Sequence, residues 1–404
     1  ASETSGNHFD CSGQAWHSGR PLDGNRSFAT MNSSEGALTV HSSSAGGRNR
    51  DLQWLRAIAA FSVTLFHAAN SMAVHLDYDL YRDYVGPAFG LVAVSIFFAI
   101  TGALMADILR KSDPHDFLLH RIVRLYPIFI LTTLALPSIL DARPAFDARA
   151  ILLVPNGMNA TLRLGGVEWT LVSEVFFYVV LYLIALTRLR RHIEWFAAAW
   201  LAWIGLVALA GWAVPNMVQP IPFLTAMPFQ TTATAFAAGL LIPALARRQF
   251  FAPSLTPLTI GLVLIGALLS IPYFAVFAGV AAFLIVGMAV QNGSQGKGRS
   301  VLGRSMTKLG DWSYALYLCN HPIQIWLYTT VAPRFEFSPP VLLALALILP
   351  LLLSIPLGIL DVRLYRSLRQ RVDAASVQRK RGYATAFIVF YFVASAGFIL
   401  KEMF

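Results

Sequence analysis

Residues 52–72 read LQWLRAIAAFSVTLFHAANSM, a stretch that is long and apolar enough to enter a membrane as a helix. It carries one charge, Arg56, near its start and one titratable group, His67, eleven residues later. Eleven residues make close to three helical turns, so the two side chains share one helix face, about 16 Å apart along the axis. Ionisable groups at that depth are costly and usually face a protein interior or a watery cavity where they serve chemistry or transport. We therefore expect the functional site around His67.

The composition of the chain indicates a membrane protein. Of 404 residues, 56% are hydrophobic and only 13% are charged, and the mean hydropathy is +0.59, well outside the usual composition of soluble domains. We predict an all-α polytopic integral membrane protein with about eleven transmembrane helices. The predicted spans are residues 52–73, 85–109, 122–140, 169–187, 195–214, 223–246, 258–273, 274–291, 312–333, 340–361 and 383–401.

The net charge of +10 has a topological explanation. Most of the 31 lysines and arginines fall in every second loop, as expected for loops on the cytosolic side of a membrane. These basic loops lie within residues 110–124, 188–191, 247–248, 297–308 and 363–381. The pattern predicts a cytosolic N-terminus and an external C-terminus, which requires an odd number of spans. We expect a multi-pass protein of the cell inner (plasma) membrane, with the lipid bilayer as a partner and no nucleic acid.

The chain divides into two predicted regions. Residues 1–50 are polar and lack a helical period, which predicts a disordered cytosolic tail, and residues 51–404 form the transmembrane domain. Cys11 and Cys319 offer no disulfide framework, because one lies in the tail and the other within a span. Since no soluble domain is evident, the site has to be built from helices and their short connections.

Two histidines, His67 and His321, and the carboxylate of Glu174 fall well inside predicted spans. Imidazole suits proton transfer near neutral pH, so His67 is a candidate catalytic group, although a buried histidine bonded to a backbone carbonyl is the plainer alternative. For His321, in the ninth span, a structural role is as plausible as a functional one. Glu174 follows Trp169 in the fourth span and should be paired, protonated or exposed to a water-filled pocket. We expect Glu168 at the membrane interface and Asp311 as the N-cap of the ninth helix.

Arg121 and Arg124 open the third span three residues apart and share one helix face. They either anchor the helix at the cytosolic surface or form a phosphate clamp, because guanidinium groups match phosphate geometry. Thr101 and Gly102 in the second span favour a close helix approach or a local break. The sequence contains no metal-spaced cluster of cysteines and histidines, so we expect no metal.

Taken in order, five segments resemble the membrane acyltransferase 3 family, especially bacterial exopolysaccharide and lipopolysaccharide O-acetyltransferases. They are LQWLRAIAAFSVTLFHA, SIFFAITGALMA, HRIVRLYP, EWTLVSEVFFYVVLYL and LGDWSYALYLCNHPI, which all lie within residues 52–324. The resemblance aligns the family's motif residues with Arg56, His67, Arg121, Arg124, Glu174 and, through a Tyr-Leu-x-x-His-Pro motif, Tyr317 and His321. One departure is Thr101-Gly102, where relatives usually have Ser-Gly.

The resemblance implies transfer of an acyl group, most often acetyl, from cytosolic acetyl-CoA to a hydroxyl of a cell-envelope glycan or lipid-linked oligosaccharide. It implies catalytic roles for His67 and Glu174, with His67 acting as a general base or as a transient acyl carrier. Substrate binding is expected from Arg56, Arg121, Arg124, His321, Trp169 and Tyr317. Some relatives carry an additional extracellular domain after the last helix, so we expect this chain to act alone or with separate polysaccharide-assembly proteins.

Three other functions remain open from the residues. A proton-coupled transporter or a lipid-linked glycan flippase would also use buried histidines and carboxylates, although no matched pair of broken helices is evident. A receptor or scaffold would have no need for two deep histidines. A different class of membrane acyltransferase with a catalytic His and an Asn would use Asn320 and His321.

Overall fold

The computed structural model describes residues 49–140, 149–157, 164–213, 221–293 and 300–403. Regular structure in these ranges is helical, and the one β contact is an isolated bridge between Asn156 and Phe223. The α-helices are α1 Arg50–Leu76, α2 Leu80–Tyr84, α3 Pro87–Lys111, α4 Pro114–Ile139, α5 Arg149–Leu152, α6 Glu168–Ala185, α7 Ile193–Leu209, α8 Thr234–Gly239, α9 Ile242–Arg247, α10 Thr256–Ala267, α11 Ile271–Asn292, α12 Val301–Trp326, α13 Pro339–Ala374 and α14 Val377–Met403.

Eight helical segments in the described ranges are long and apolar enough to cross a membrane. They confirm the prediction of a multi-pass, all-helical membrane protein. The other three predicted spans also coincide with helices: the segment Thr231–Arg247, helix α10, and helix α12. The exact number of spans and the orientation of the two chain ends stay predictions. Most of the predicted N-terminal tail, residues 1–48, lies outside the described residues.

Helix α12 is long but too polar to match a simple apolar span. Its buried Gln324 donates hydrogen bonds to the carbonyl oxygens of Thr64 on α1, at 2.9 Å, and Ala346 on α13, at 3.0 Å. Because neighbouring helices satisfy these polar groups, α12 lies in the interior of the bundle, where it packs against α1 and α13.

The N-terminal end of α12 differs from the prediction. The helix begins at Val301, and its cap is Ser300, whose hydroxyl accepts a hydrogen bond from the backbone N–H of Gly303 at 3.0 Å. Asp311 therefore lies inside the helix, and its predicted role as N-cap is wrong. His321 lies twenty residues beyond the start of α12, because about three further turns of helix precede the predicted span.

The predicted span 223–246 is not one continuous helix. It consists of two short 3₁₀ segments, Leu224–Phe229 and Thr231–Ala233, followed by α8 and α9. Pro243 at the start of α9 lacks an N–H group, so it cannot continue the hydrogen bonding of α8. Gly239 at the end of α8 lies against Gly102 of α3, where a Cβ atom on Gly239 would come within 2.5 Å of the carbonyl oxygen of Ala99. The segment with Thr101 and Gly102 thus supports a close helix approach.

Candidate functional site

A cavity of about 110 Å³ lies between α1, α3, α4, α6 and α12. We call it the arginine cavity, because three guanidinium groups line it. Five of the predicted site residues meet there: Arg56 from α1, Arg121 and Arg124 from α4, Glu174 from α6, and Tyr317 from α12. One wall is apolar and comes from α3, with Val94, Phe97, Ile100, Leu104 and Met105. The cavity can therefore hold a ligand that is anionic at one part and apolar at another.

Arg124 is already neutralised by a residue that the sequence did not suggest. Its Nη1 atom lies 2.6 Å and 2.5 Å from the two carboxylate oxygens of Asp361, which is only 2% exposed on α13. Its guanidinium group also lies 5.5 Å from the ring centres of Tyr314 and Tyr365. Asp361 and the two rings hold Arg124 in a defined orientation.

Arg121 has a different environment on the same helix face. It is only 8% exposed, it lines the arginine cavity, and its buried Nε atom has no hydrogen-bond partner among the described residues. No carboxylate in the part of the chain that the structure describes forms an ion pair with it. Since a buried guanidinium without an ion pair is costly, Arg121 is the arginine of this site best prepared to receive an anionic ligand.

Glu174 contributes the carboxylate of the arginine cavity. The hydroxyl of Tyr178, one turn later on α6, donates a short hydrogen bond to it. It also interacts electrostatically with Arg56, Arg121 and Arg124. Arg56 in turn donates a hydrogen bond from Nε to the hydroxyl of Ser313 at 3.4 Å. The structure therefore places Glu174 with the arginines, and within the described ranges it shows no contact between Glu174 and a histidine.

His67 and His321 form a second group, which we call the histidine pair. Their rings stack with centroids 4.3 Å apart and planes inclined by 24°. Both side chains are half-buried and neither lines the arginine cavity. The described residues provide no hydrogen-bond partner for the ring nitrogens of His67. These nitrogens are therefore available to a substrate.

His321 is held from two sides. Its Nε2 atom lies 3.1 Å from the hydroxyl of Ser71 on α1. Its Nδ1 atom faces Gly165, where a Cβ atom would come within 2.5 Å of that nitrogen. Gly165 has a φ of +76°, a conformation that favours glycine. The loop before α6 thus approaches the imidazole closely enough to exclude any side chain at this position.

The loop at Gly165 is fixed by Glu168, which was predicted to be interfacial. Its side chain is fully buried within the protein, and its depth in the membrane stays a prediction. Its carboxylate accepts hydrogen bonds from the backbone N–H groups of Leu164, at 2.7 Å, and Gly166, at 3.1 Å. A buried carboxylate that satisfies two backbone donors stabilises the loop and so sets the position of His321.

Tyr317 lies between the two groups. It lines the arginine cavity, one helical turn before His321, and its hydroxyl lies 2.7 Å from that of Thr170. Trp169, the remaining predicted binding residue, does not line the cavity and packs edge-on against Phe98 with ring centroids 6.4 Å apart. The described residues contain no cluster of His, Cys, Asp or Glu suited to a metal ion.

Comparison with protein families identifies a domain that contains these residues. A family model described as an acyltransferase domain, of the acyltransferase 3 type, matches residues 49–359. This range includes every residue that lines the arginine cavity and both members of the histidine pair, and it ends two residues before Asp361. Neither the curated proteins nor the solved structures contain a match to this chain.

Proposed function

Because the chain belongs to the acyltransferase 3 family, it is a membrane acyltransferase. We propose that it moves an acetyl or other short acyl group from cytosolic acyl-CoA to a glycan hydroxyl. The glycan is one of the cell envelope or an extracellular polysaccharide. The observation that carries this proposal is the arrangement along α1 and α12, which share an arginine cavity and, about three turns further along α1, a histidine pair.

The donor fits the charge distribution of these two groups. Coenzyme A carries its phosphates at one end and its thioester at the end of a long uncharged arm. In the proposal Arg56 and Arg121 bind phosphate oxygens, while Asp361 holds Arg124 beside them. The uncharged arm extends along the apolar wall from α3, and the thioester reaches His67, about 16 Å from Arg56 along α1. Acetyl-CoA is thus bound in the orientation that transfer requires.

His67 is the proposed general base. It takes the proton of the acceptor hydroxyl as the oxygen attacks the thioester carbonyl carbon, so that an ester C–O bond forms and the C–S bond breaks. The proton then passes from the imidazolium to the departing thiolate. His321 stacks on His67 and orients it, and Glu174 balances the charge of the arginines when the donor is absent. Bringing both substrates together at one imidazole lowers the entropic cost of their reaction.

A transfer assay tests the proposal. The purified protein in lipid nanodiscs receives acetyl-CoA labelled in the acetyl group and host-cell envelope polysaccharide freed of O-acyl esters by mild alkali. We expect label in the polymer, and mild alkali should release it as acetate. If the label stays in acetyl-CoA and none enters the polymer, the proposed glycan acetyltransferase activity is refuted.

A further inference from the structure

A second cavity, of about 430 Å³, lies where α1 and α12 end. We call it the outer groove, since the distribution of basic loops predicts that this end of the bundle faces outward. Tyr78, just after α1, forms one side. The segment 332–337, which follows α12, forms the other.

The outer groove combines an apolar floor with an exposed aromatic and charged rim. Met72 and Leu76 of α1 lie in the floor. On the rim, Phe335 is 57% and Phe337 is 37% exposed, and their ring centroids are 5.6 Å apart. Large aromatic side chains exposed together in a cavity are typical of a binding surface.

Two charged side chains alternate with these rings. Arg334 and Glu336 line the outer groove and are exposed, and among the described residues neither has an ion-pair partner. A guanidinium offers several donors and a carboxylate offers acceptors only, so together they match hydroxyl groups, which do both. Flat aromatic faces cover the C–H face of a sugar ring. The rim therefore has the chemistry that recognises a carbohydrate.

The outer groove lies close to the histidine pair along both helices. On α1, Met72 directly follows Ser71, which is hydrogen-bonded to His321. On α12, the helix continues into a π-helical turn, Leu327–Val331, and then into the rim segment. Within that turn, the hydroxyl of Tyr328 donates to the carbonyl oxygen of Ala68, the neighbour of His67, at 3.2 Å. Such π turns are frequent at functional sites.

We propose that the outer groove binds the acceptor glycan and presents one of its hydroxyls to His67. This inference rests on the proposed function, and it assigns the acceptor to Phe335, Phe337, Arg334 and Glu336 at the opposite end of α1 from the donor phosphates. Donor and acceptor therefore approach the histidine pair from opposite ends of α1. The competing explanation is that the two rings anchor the protein at the membrane surface, as aromatic residues often do.

Kinetics of the double variant Phe335→Ala/Phe337→Ala separate the two explanations. With the de-esterified envelope polysaccharide as acceptor, we expect its KM to rise at least tenfold, while the KM for acetyl-CoA and the maximal rate change less than twofold. Tyr84→Ala is the matched control, because Tyr84 is 79% exposed near the same end of the bundle and does not line the outer groove. If the wild-type protein is active and the double variant has an unchanged KM for the acceptor, the outer groove is not the acceptor site. The proposed function would still stand in that case. A wild-type protein that acetylates no glycan overturns the proposed function as well.

A labelling experiment measures acceptor binding without activity. In a Cys11→Ser background, Phe337→Cys should react with a membrane-impermeant maleimide, since the remaining cysteine, Cys319, is buried. We expect the de-esterified polysaccharide to slow this reaction at least fivefold and to leave Tyr84→Cys unaffected. Equal reaction rates with and without the polysaccharide at Phe337→Cys would contradict the assignment.

Discussion

The imidazole rings of His67 and His321 stack 4.3 Å apart, although the two residues lie on helices at opposite ends of the sequence. Parallel packing of α1 and α12 brings them together, with Gln324 bonded to Thr64 and Tyr328 bonded to Ala68 beside them. His321 is hydrogen-bonded to Ser71, whereas the nitrogens of His67 have no partner among the described residues. This asymmetry makes His321 the positioning residue and His67 the group that meets the substrates.

Removal of the Ser71 hydroxyl tests how far His321 positions His67. Ser71→Ala deletes the hydrogen bond to His321 Nε2, which is worth about 0.5–1.5 kcal/mol. We expect kcat to fall about 2- to 12-fold, with the KM for acetyl-CoA unchanged, because Ser71 lies about four turns from Arg56 along α1. Steady-state kinetics with varied acetyl-CoA measure both constants. An unaltered kcat would show that the hydroxyl does not position the histidine pair.

The loop before α6 provides a matched pair of glycine variants. Gly165→Ala and Gly166→Ala both place alanine at positive φ, +76° and +102°, which costs at least about 1 kcal/mol each. Only at Gly165 would the new Cβ atom collide with His321, since nothing lies within 4 Å of the corresponding position at Gly166. We expect both variants to lower the unfolding temperature in detergent, and only Gly165→Ala to reduce kcat, by about tenfold or more. An equal decrease in kcat in both glycine variants would show that the Cβ atom at Gly165 has no specific effect on His321.

Arg121 is expected to dominate donor binding among the cavity arginines. Hydrogen bonds to charged groups contribute about 1.5–3 kcal/mol, so Arg121→Gln should raise the KM for acetyl-CoA about tenfold or more. The unfolding temperature should change little, because no ion pair is lost within the described residues. Arg304→Gln serves as control, since Arg304 is an exposed cation outside the cavity. An equal KM in Arg121→Gln and the control would rule out the phosphate role.

Asp361 is predicted to stabilise the fold through Arg124. Asp361→Asn leaves a largely buried guanidinium without its counter-charge, and breaking such a pair costs about 3–5 kcal/mol. We expect a clear decrease in the unfolding temperature, measured by intrinsic fluorescence in detergent. The double variant Arg124→Gln/Asp361→Asn should recover much of this loss, because no unpaired charge remains. A double variant no more stable than Asp361→Asn would argue that Asp361 acts through other contacts.

The sequence predicted the helices well and their contacts poorly. Long apolar runs fix the position of a span such as α3 by length alone, and all eleven predicted spans coincide with helical segments. Helix α12 began earlier than predicted because its first turns are polar and carry no apolar period. Proline accounts for the break before α9, and Pro243 could have indicated it.

In the candidate site, too, the sequence predicted the residues better than their contacts. Arg121 and Arg124 looked equivalent from their spacing, and only the structure distinguishes them, because Asp361 lies 237 residues from Arg124 along the chain. The burial of Glu168 inside the protein could not be predicted, for a related reason. Its neighbours Gly165 and Gly166 signal a turn, but no local pattern shows that the turn folds inward against His321. Long-range partners of this kind are set by helix packing, which a single sequence does not encode in its spacing.

The most direct test of the account is acetyl transfer by His67→Ala, with His75→Ala as control, because His75 is an exposed histidine in the last turn of the same helix. Both variants should insert into the membrane and bind acetyl-CoA like the wild type. General base catalysis is worth about 10²- to 10⁴-fold, so transfer to the de-esterified polysaccharide should fall by at least a hundredfold in His67→Ala and stay unchanged in His75→Ala. Transfer by His67→Ala at a rate near that of the wild type would contradict the central claim.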